Sequence, residues 1–361
     1  FLVEGNIARQ ISYNDGGWDY EPVPGKDNLM IGGTYNGLEL YEKTGKGAWI
    51  SLGMIKGVET SCRDILFDSD GNLWVNHVYE GLIKVVFAED YKETRSVTFF
   101  NNTHGLPEVP YSISRVDGEL VISTKSCFFR FNEQTNRFVA NQKISSLLNQ
   151  IVSTAKLYQD SFGDIWYLSE KEMGVYRLQE DASYLNISIP FKRIQGQFLA
   201  ADYQHLFVLD NRNVFIAGQS GLLHYNPETN KNFHESYGCF INSVTINSED
   251  DDSLLFKRVG LKNNTYESSG KKIPYKYNSV AFSFTTPFFE AFKHNQYSYR
   301  LEGFNSEWSE WSSLNIKEYT NLREGTYRFE VVARNIYQQR SEVVGFDFVI
   351  EPPFVRSIFA F

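Results

Sequence analysis

Two hydrophobic patterns divide this chain. Along residues 327–334 the side chains alternate, with Tyr327, Phe329, Val331 and Ala333 on one side and Arg328, Glu330, Val332 and Arg334 on the other. A period of two is what a sandwich strand with one buried face requires. Upstream, short apolar words recur instead. Leu29-Met30-Ile31-Gly32, Leu73-Trp74-Val75-Asn76, Leu120-Val121-Ile122-Ser123, Ile165-Trp166-Tyr167-Leu168 and Val214-Phe215-Ile216-Ala217 follow one another at separations of 44, 47, 45 and 49 residues. A turn precedes each: Asp70-Gly71-Asn72, Asp117-Gly118-Glu119, Gly163-Asp164, and in weaker form Asp27-Asn28 and Arg212-Asn213. Asp-Gly supplies the positive φ angles of a tight hairpin. A second strand follows each word, at Gly37–Tyr41, Gly81–Val85, Cys127–Phe131, Gly174–Leu178 and Gly221–Tyr225. A repeat of about 45 residues built only from strands predicts a four-stranded propeller blade, and five units are visible.

The repeat stops near Phe233–Cys239, after Asn226-Pro227-Glu228-Thr229-Asn230 closes the last unit, and strands resume at Phe240–Ile246. Asp250-Asp251-Asp252 and 263–270 read as polar loops, and Ser145–Leu157 as the one helical turn. Between Tyr297 and Asn335 the pattern predicts three strands, each with a tyrosine near a turn. The corner Asn321-Leu322-Arg323-Glu324-Gly325 stands just before Tyr327, as in the tyrosine corner of fibronectin-type sandwiches. The Tyr327 hydroxyl is therefore expected to bond back to the backbone near Leu322.

The wording also resembles known families. YSYRLEGF, EWSEW, EYTNL, GTYRF and the terminal EPPF, spread over about residues 239–355, resemble the triple-tyrosine (Y_Y_Y) domain of bacterial transmembrane sensors. Its three tyrosines would be Tyr299, Tyr319 and Tyr327. The words D-x-x-G-x-L-W-V and G-L-x-x-Y, with Gly105-Leu106-Pro107 between units, resemble the two-component-regulator propeller repeat. Asp68–Phe87 matches that repeat best, whereas the units at Lys26 and Asn211 depart from it. The resemblance implies a propeller of more than five blades, cut on its N-terminal side. It also implies that Pro352-Pro353-Phe354 leads into a membrane helix beyond Phe361.

Composition narrows the function. At 361 residues the chain is long enough for two cores, and 16% aromatic content with 10 prolines fits a β-rich globular protein. A net charge of −9 argues against an electrostatic grip on nucleic acid or anionic lipid. Cys62, Cys127 and Cys239 lie far apart and read as buried free thiols, with one opportunistic disulfide as the alternative. No apolar run is long enough to span a bilayer. Phe1 stands where a start Met would, so the chain reads as an excised or processed piece.

Catalytic and metal motifs are absent. Asp68-Ser69-Asp70-Gly71-Asn72 has the acidity of a calcium loop, but its Gly falls too early and no bidentate Glu follows. The six histidines never reach metal-ligand spacing, and HExxH, GxSxG and the Walker loop are missing. No cofactor is expected. Carboxylates paired for glycoside hydrolysis cannot be recognised from sequence alone.

Blade topology puts the loop between strands two and three on the face of the inter-blade links, opposite the Asp-Gly turns. Those loops carry Tyr35-Asn36, His77-Val78-Tyr79-Glu80, Lys125-Ser126, Glu170-Lys171-Glu172 and Gln219-Ser220. Aromatics among amides and charges suit sugars, whose ring faces stack while hydroxyls take hydrogen bonds. Tyr35, His77, Tyr79, Lys125, Lys171 and Trp18 are the candidate ligand-binding residues, and Tyr20 stands with Trp18. The alternative is that these are ordinary solvated loops. Of Trp308 and Trp311, at least one is expected to pack on the sandwich core.

The expected fold is all-β: a partial β-propeller over 1–237, a fibronectin/immunoglobulin-like sandwich over 238–351 and a juxtamembrane tail over 352–361. By resemblance this is the periplasmic sensor region of an inner-membrane regulator of the hybrid two-component type. It would bind an oligosaccharide, signal as a homodimer through the sandwich, touch no nucleic acid itself and perform no catalysis. A non-signalling carbohydrate-binding propeller and a propeller hydrolase or lyase remain the alternatives.

Overall fold

The computed structural model describes residues 2–353 except 78, 107–110, 126, 150, 152–153, 170, 200–202, 230, 247–252 and 258–270. The expected loops Asp250–Asp252 and 263–270, and the tail from Phe354, therefore lie outside the described residues. The chain divides into two compact units, Phe1–Thr229 and Asn230–Phe361. In both, nearly all the regular elements among the described residues are strands.

After a hairpin (Leu2–Glu4, Ile7–Arg9), the described residues of the first unit form five antiparallel meanders. The first sheet is Tyr20–Pro22, Leu29–Thr34, Gly37–Lys43 and Trp49–Met54. The second is Asp64–Phe67, Leu73–His77, Gly81–Phe87 and Thr94–Phe100. The third is Ser112–Val116, Glu119–Ser123, Phe128–Asn132 and Arg137–Ala140. The fourth is Lys156–Gln159, Ile165–Leu168, Met173–Leu178 and Tyr184–Ile187. The fifth has three strands, Leu206–Val208, Val214–Gly218 and Gly221–Tyr225. Every repeated apolar word occupies the second strand of its sheet.

Burial explains why those words carry no polar alternation. Leu73 and Val75 pack toward the first sheet against Ile31, Leu38 and Leu40, while Trp74 packs the other way against Ile113, Leu120 and Ile122. In the fourth sheet Ile165 and Tyr167 face the third, and Trp166 and Leu168 face the fifth. A strand buried on both faces reads as a continuous apolar run. The core is thus a succession of layers between neighbouring sheets, which is propeller packing.

The turn words have an equally local cause. Asp68 Oδ1 accepts the backbone N–H groups of Asp70 and Asn72, and Oδ2 accepts the Trp74 indole N–H at 2.9 Å. Asp160 does the same for Phe162, Asp164 and the Trp166 indole. The Asp-Gly-Trp wording is a hairpin lock in which the carboxylate ties the turn to the buried indole. Gly81 opens the third strand at φ +96°, and a Cβ there would lie 2.2 Å from the Phe100 carbonyl oxygen. Both conformation and space demand glycine.

The expected helix is shifted. It spans Gln142–Leu147 because Asn141 caps it, its Oδ1 accepting the Ile144 N–H at 3.1 Å. Lys156 and Leu157 already belong to the fourth sheet.

The second unit is a two-sheet sandwich. One sheet orders Ser253–Lys257, Phe240–Ile246, Val280–Thr285 and Ile316–Tyr319. The other orders Lys271–Ile273, Val344–Ile350, Gly325–Arg334 and Gln296–Glu302. Phe282, Phe284, Phe329, Phe346 and Phe348 fill the space between, and Phe282 stacks on Phe329 at 4.0 Å. Residues before the first sandwich strand belong to this unit. The Tyr237 hydroxyl donates to the Gln339 carbonyl at 2.6 Å, and Lys231 pairs with Glu290.

The three tyrosines share this core. Tyr299 and Tyr319 are half-buried against Phe329, and the Tyr327 ring stacks on Phe348 at 5.3 Å. The Tyr327 hydroxyl donates to the Arg323 carbonyl at 2.9 Å, a corner bond one residue beyond Leu322.

Trp308 and Trp311 are not part of the core, contrary to the expectation for at least one. Trp308 lies under the Arg300 guanidinium, and Trp311 under those of Arg334 and Arg340. Trp308 stays 39% exposed beside its arginine, and Trp311 is half-buried under two guanidiniums instead of in the sandwich interior. None of the three cysteines is in a disulfide. Burial pushes the Cys62 and Cys239 thiols up to about 12, whereas Cys127 is only half-buried.

Candidate functional site

The first strands of the sheets adjoin one another around an axis. Arg115 donates to the Phe67 carbonyl, Ser114 Oγ accepts the Leu157 N–H, and the Tyr158 hydroxyl reaches the Gln204 carbonyl. Each first strand begins at the inter-blade end, so its opening residues converge there. Lys156 Nζ lies 2.8 Å from Asp64 Oδ1 and 3.9 Å from Asp19 Oδ2. His205 stands edge-on to Tyr158, with ring centroids 5.8 Å apart.

Burial and charge pairing act in opposite directions on this cluster. Burial raises the Asp19 carboxyl, and the Lys156 ammonium opposes that shift. Burial would lower Lys156, but Asp64, Tyr158 and Asp19 hold it above its ordinary value. Further along the axis, burial keeps the Glu21 carboxyl near 7 against the pull of Arg115. His205 is lowered by enclosure and by Lys156.

Beside the charges sits a group of aromatic rings. Trp18 meets Tyr35 edge-on at 4.9 Å and Tyr203 at 5.8 Å, with the Arg63 guanidinium 4.4 Å over its face. The Trp18 indole N–H is enclosed and meets no acceptor among the described residues. Gly16, at φ +75°, makes this possible, because a Cβ there would lie 2.5 Å from the Tyr35 ring. Tyr35 is 48% exposed and Tyr203 53%, so the group opens to solvent.

The sequence candidates divide accordingly. Trp18 and Tyr35 are brought into contact. Tyr20 instead packs on Tyr41. His77 is internally engaged: Nδ1 accepts the backbone N–H groups of Tyr79 and Glu80, so the proton is on Nε2, 3.1 Å from Thr60 Oγ1. Tyr79 is 89% exposed at the tip of that loop. Lys125 and Lys171 are exposed in their loops. Val78, Ser126 and Glu170 of those loops lie outside the described residues.

Sequence reasoning missed Asp19, Arg63, Asp64, Lys156, Tyr203 and His205. A signal existed for three. Asp64, Lys156 and His205 each stand nine residues before the apolar word of their sheet, a single position of the repeat. Among the described residues, no three acidic, His or Cys side chains are grouped to hold a metal ion.

The fold defines an all-β propeller-and-sandwich protein, and comparison with known proteins agrees. Residues 289–351 match the Y_Y_Y domain family, which covers the sandwich from Gln296 onward. The extracellular domain of the proposed hybrid two-component system BT3049 from B. thetaiotaomicron superposes with a TM-score of 0.59 at 18% identity, over 93% of this chain and 44% of that one. The chain thus spans less than half of that relative. A second B. thetaiotaomicron extracellular domain, of the proposed one-component system BT4673, gives 0.37 at 15% identity over 95% and 50% of the two chains. Virginiamycin B lyase from Staphylococcus aureus gives 0.33 at 11% identity over 72% and 89%. The last two likenesses are too loose to carry an argument. No curated protein matches the chain.

Proposed function

We propose that this chain is the periplasmic ligand-sensing region of a membrane-anchored regulator of the hybrid two-component type, and that its ligand is an oligosaccharide. The observation that carries the reading is the open Trp18–Tyr35–Tyr203 group beside the Asp19–Lys156–Asp64 cluster. The exposed Tyr35 and Tyr203 rings give a sugar its stacking faces, and the carboxylates accept from hydroxyls. The Y_Y_Y domain and the fold likeness to an extracellular sensor domain support the placement. Signalling would then be mechanical: the ligand favours one of two dimer arrangements, and the sandwich passes that choice through Pro352-Pro353 to a membrane helix. The shift is limited to the ligand's differential affinity for the two states.

A second reading, glycan hydrolysis or elimination, draws on Glu21, since a carboxyl held near 7 suits a general acid. A melting-temperature screen of glycan fragments on the whole ectodomain separates the outcomes. The sensor reading expects a saturable rise that Trp18→Ala abolishes, with the glycan recovered intact. Failure of every glycan refutes the carbohydrate assignment. A rise surviving both Trp18→Ala and Tyr79→Ala refutes the placement on this face.

A further inference from the structure

Arginines on the sandwich sheet are generally answered by carboxylates. Arg300 covers the Trp308 ring at 4.9 Å and pairs with Glu302 at 3.1 Å and Glu330 at 2.6 Å. Arg328 pairs with Glu330 at 3.1 Å and Asp347 at 2.9 Å. Arg334 and Arg340 differ. Their guanidiniums lie 4.3 and 5.3 Å from the centroid of one ring, Trp311, and among the described residues neither has a carboxylate within ion-pair distance.

Arg334 is also incompletely bonded. Its Nη2 donates to Gln296 Oε1 at 2.6 Å, but its Nε is enclosed without an acceptor. A neutral amide oxygen does not cancel a charge, and an indole face offsets only part of one. Burial and the neighbouring Arg340 both weaken the hold of Arg334 on its proton, the mark of like charges held together. The pair does not simply drift apart, because the backbone fixes it. Arg334 and Arg340 bridge across the turn 335–339, where Asn335 N–H bonds the Gln339 carbonyl and Asn335 Oδ1 accepts the Gln339 N–H, each at 3.0 Å.

We propose that Trp311, Arg334 and Arg340 form an oxyanion-binding site on the sandwich. Guanidinium forks match the oxygens of carboxylate, sulfate or phosphate, and an anion here would neutralise the pair. The proposal is independent of the sugar assignment.

The test is thermal melting of the full chain in sodium sulfate and in sodium acetate, each against sodium chloride at equal ionic strength. Sulfate stabilises proteins generally by exclusion from their surface, so saturation at low millimolar concentration and dependence on Arg340 are the criteria. We expect one or both oxyanions to raise the melting temperature by about 2–4 °C with saturation. Arg340→Gln should abolish that rise and Arg340→Lys, which keeps the charge but loses the fork, should weaken it. Whether sulfate or acetate acts tells a tetrahedral anion from a carboxylate. Equal responses to oxyanion and chloride would overturn the proposal. So would an undiminished response in both variants, and Arg340→Lys alone decides the matter if Arg340→Gln does not fold.

Discussion

Removing one oxygen from Tyr327 tests how the sandwich corner is held. The ring is 5% exposed, stacks on Phe348, and its hydroxyl donates to the Arg323 carbonyl at 2.9 Å. The corner is also pinned on its other side, where Leu322 N–H bonds the Asn278 carbonyl and Asn278 Nδ2 bonds the Leu322 carbonyl, each at 3.0 Å. Tyr327→Phe keeps the stacking and deletes a single bond. Because Arg323 is exposed, its carbonyl can turn to water, so the cost belongs near ~1 kcal/mol rather than the ~3 kcal/mol of a trapped group. In a domain of this size that is a fall of about 3–6 °C in melting temperature. Two compact units need not unfold together, so calorimetry should be paired with hydrogen exchange of Gly325–Arg334. Exchange there should quicken about fivefold while Ile165–Leu168 is unchanged. Tyr327→Ala, which also removes the ring, should cost about 3–5 kcal/mol. If Tyr327→Phe leaves both melting and exchange unaltered, the corner bond contributes nothing and the reasoning is wrong.

Three further outcomes follow from the first unit. Gly81→Ala should destabilise by at least about 2 kcal/mol in urea unfolding, since it adds a clash with Phe100 to a strained φ. Glu21 has its folded pKa near 7, above the unfolded value, so its contribution is full below about pH 4.5 and is lost as pH rises through 7. Glu21→Gln should therefore gain about 1–3 kcal/mol over the parent above pH 8 and little at pH 4.5; the difference between the two is the readout, because His205 acts in the opposite sense. Lys156→Met, by leaving Asp64 and Asp19 unopposed, should lower stability by about 1–3 kcal/mol at pH 7 and by less at pH 4, measured by denaturant melts.

Much of the fold was legible because its causes are local. The Asp68 and Asp160 locks, the glycine opening the third strand, and the doubly buried second strands all act within one sheet or between neighbours. The sandwich strand at Tyr327 and its corner were readable for the same reason. The helix was displaced because the capping role of Asn141 was overlooked. Trp308 and Trp311 were misjudged: Trp308 stays 39% exposed beside Arg300, and Trp311 is met by Arg334 and Arg340, a long-range match that local pattern does not show. The site was legible only in part. Trp18 and Tyr35 stood out as aromatics in polar loops, but Tyr203 and the Asp19–Asp64–Lys156 cluster come together only where separate sheets converge. The repeat register was nonetheless a usable guide to Asp64, Lys156 and His205.

Isothermal titration of the protein with a glycan that raises its melting temperature, followed by recovery of that glycan, tests the central claim most directly. The account predicts saturable heat with one transition, loss of binding in Trp18→Ala, and a chemically unchanged ligand after prolonged incubation. Continuing heat with cleaved or eliminated products, abolished by Glu21→Gln, would contradict it and make the protein an enzyme.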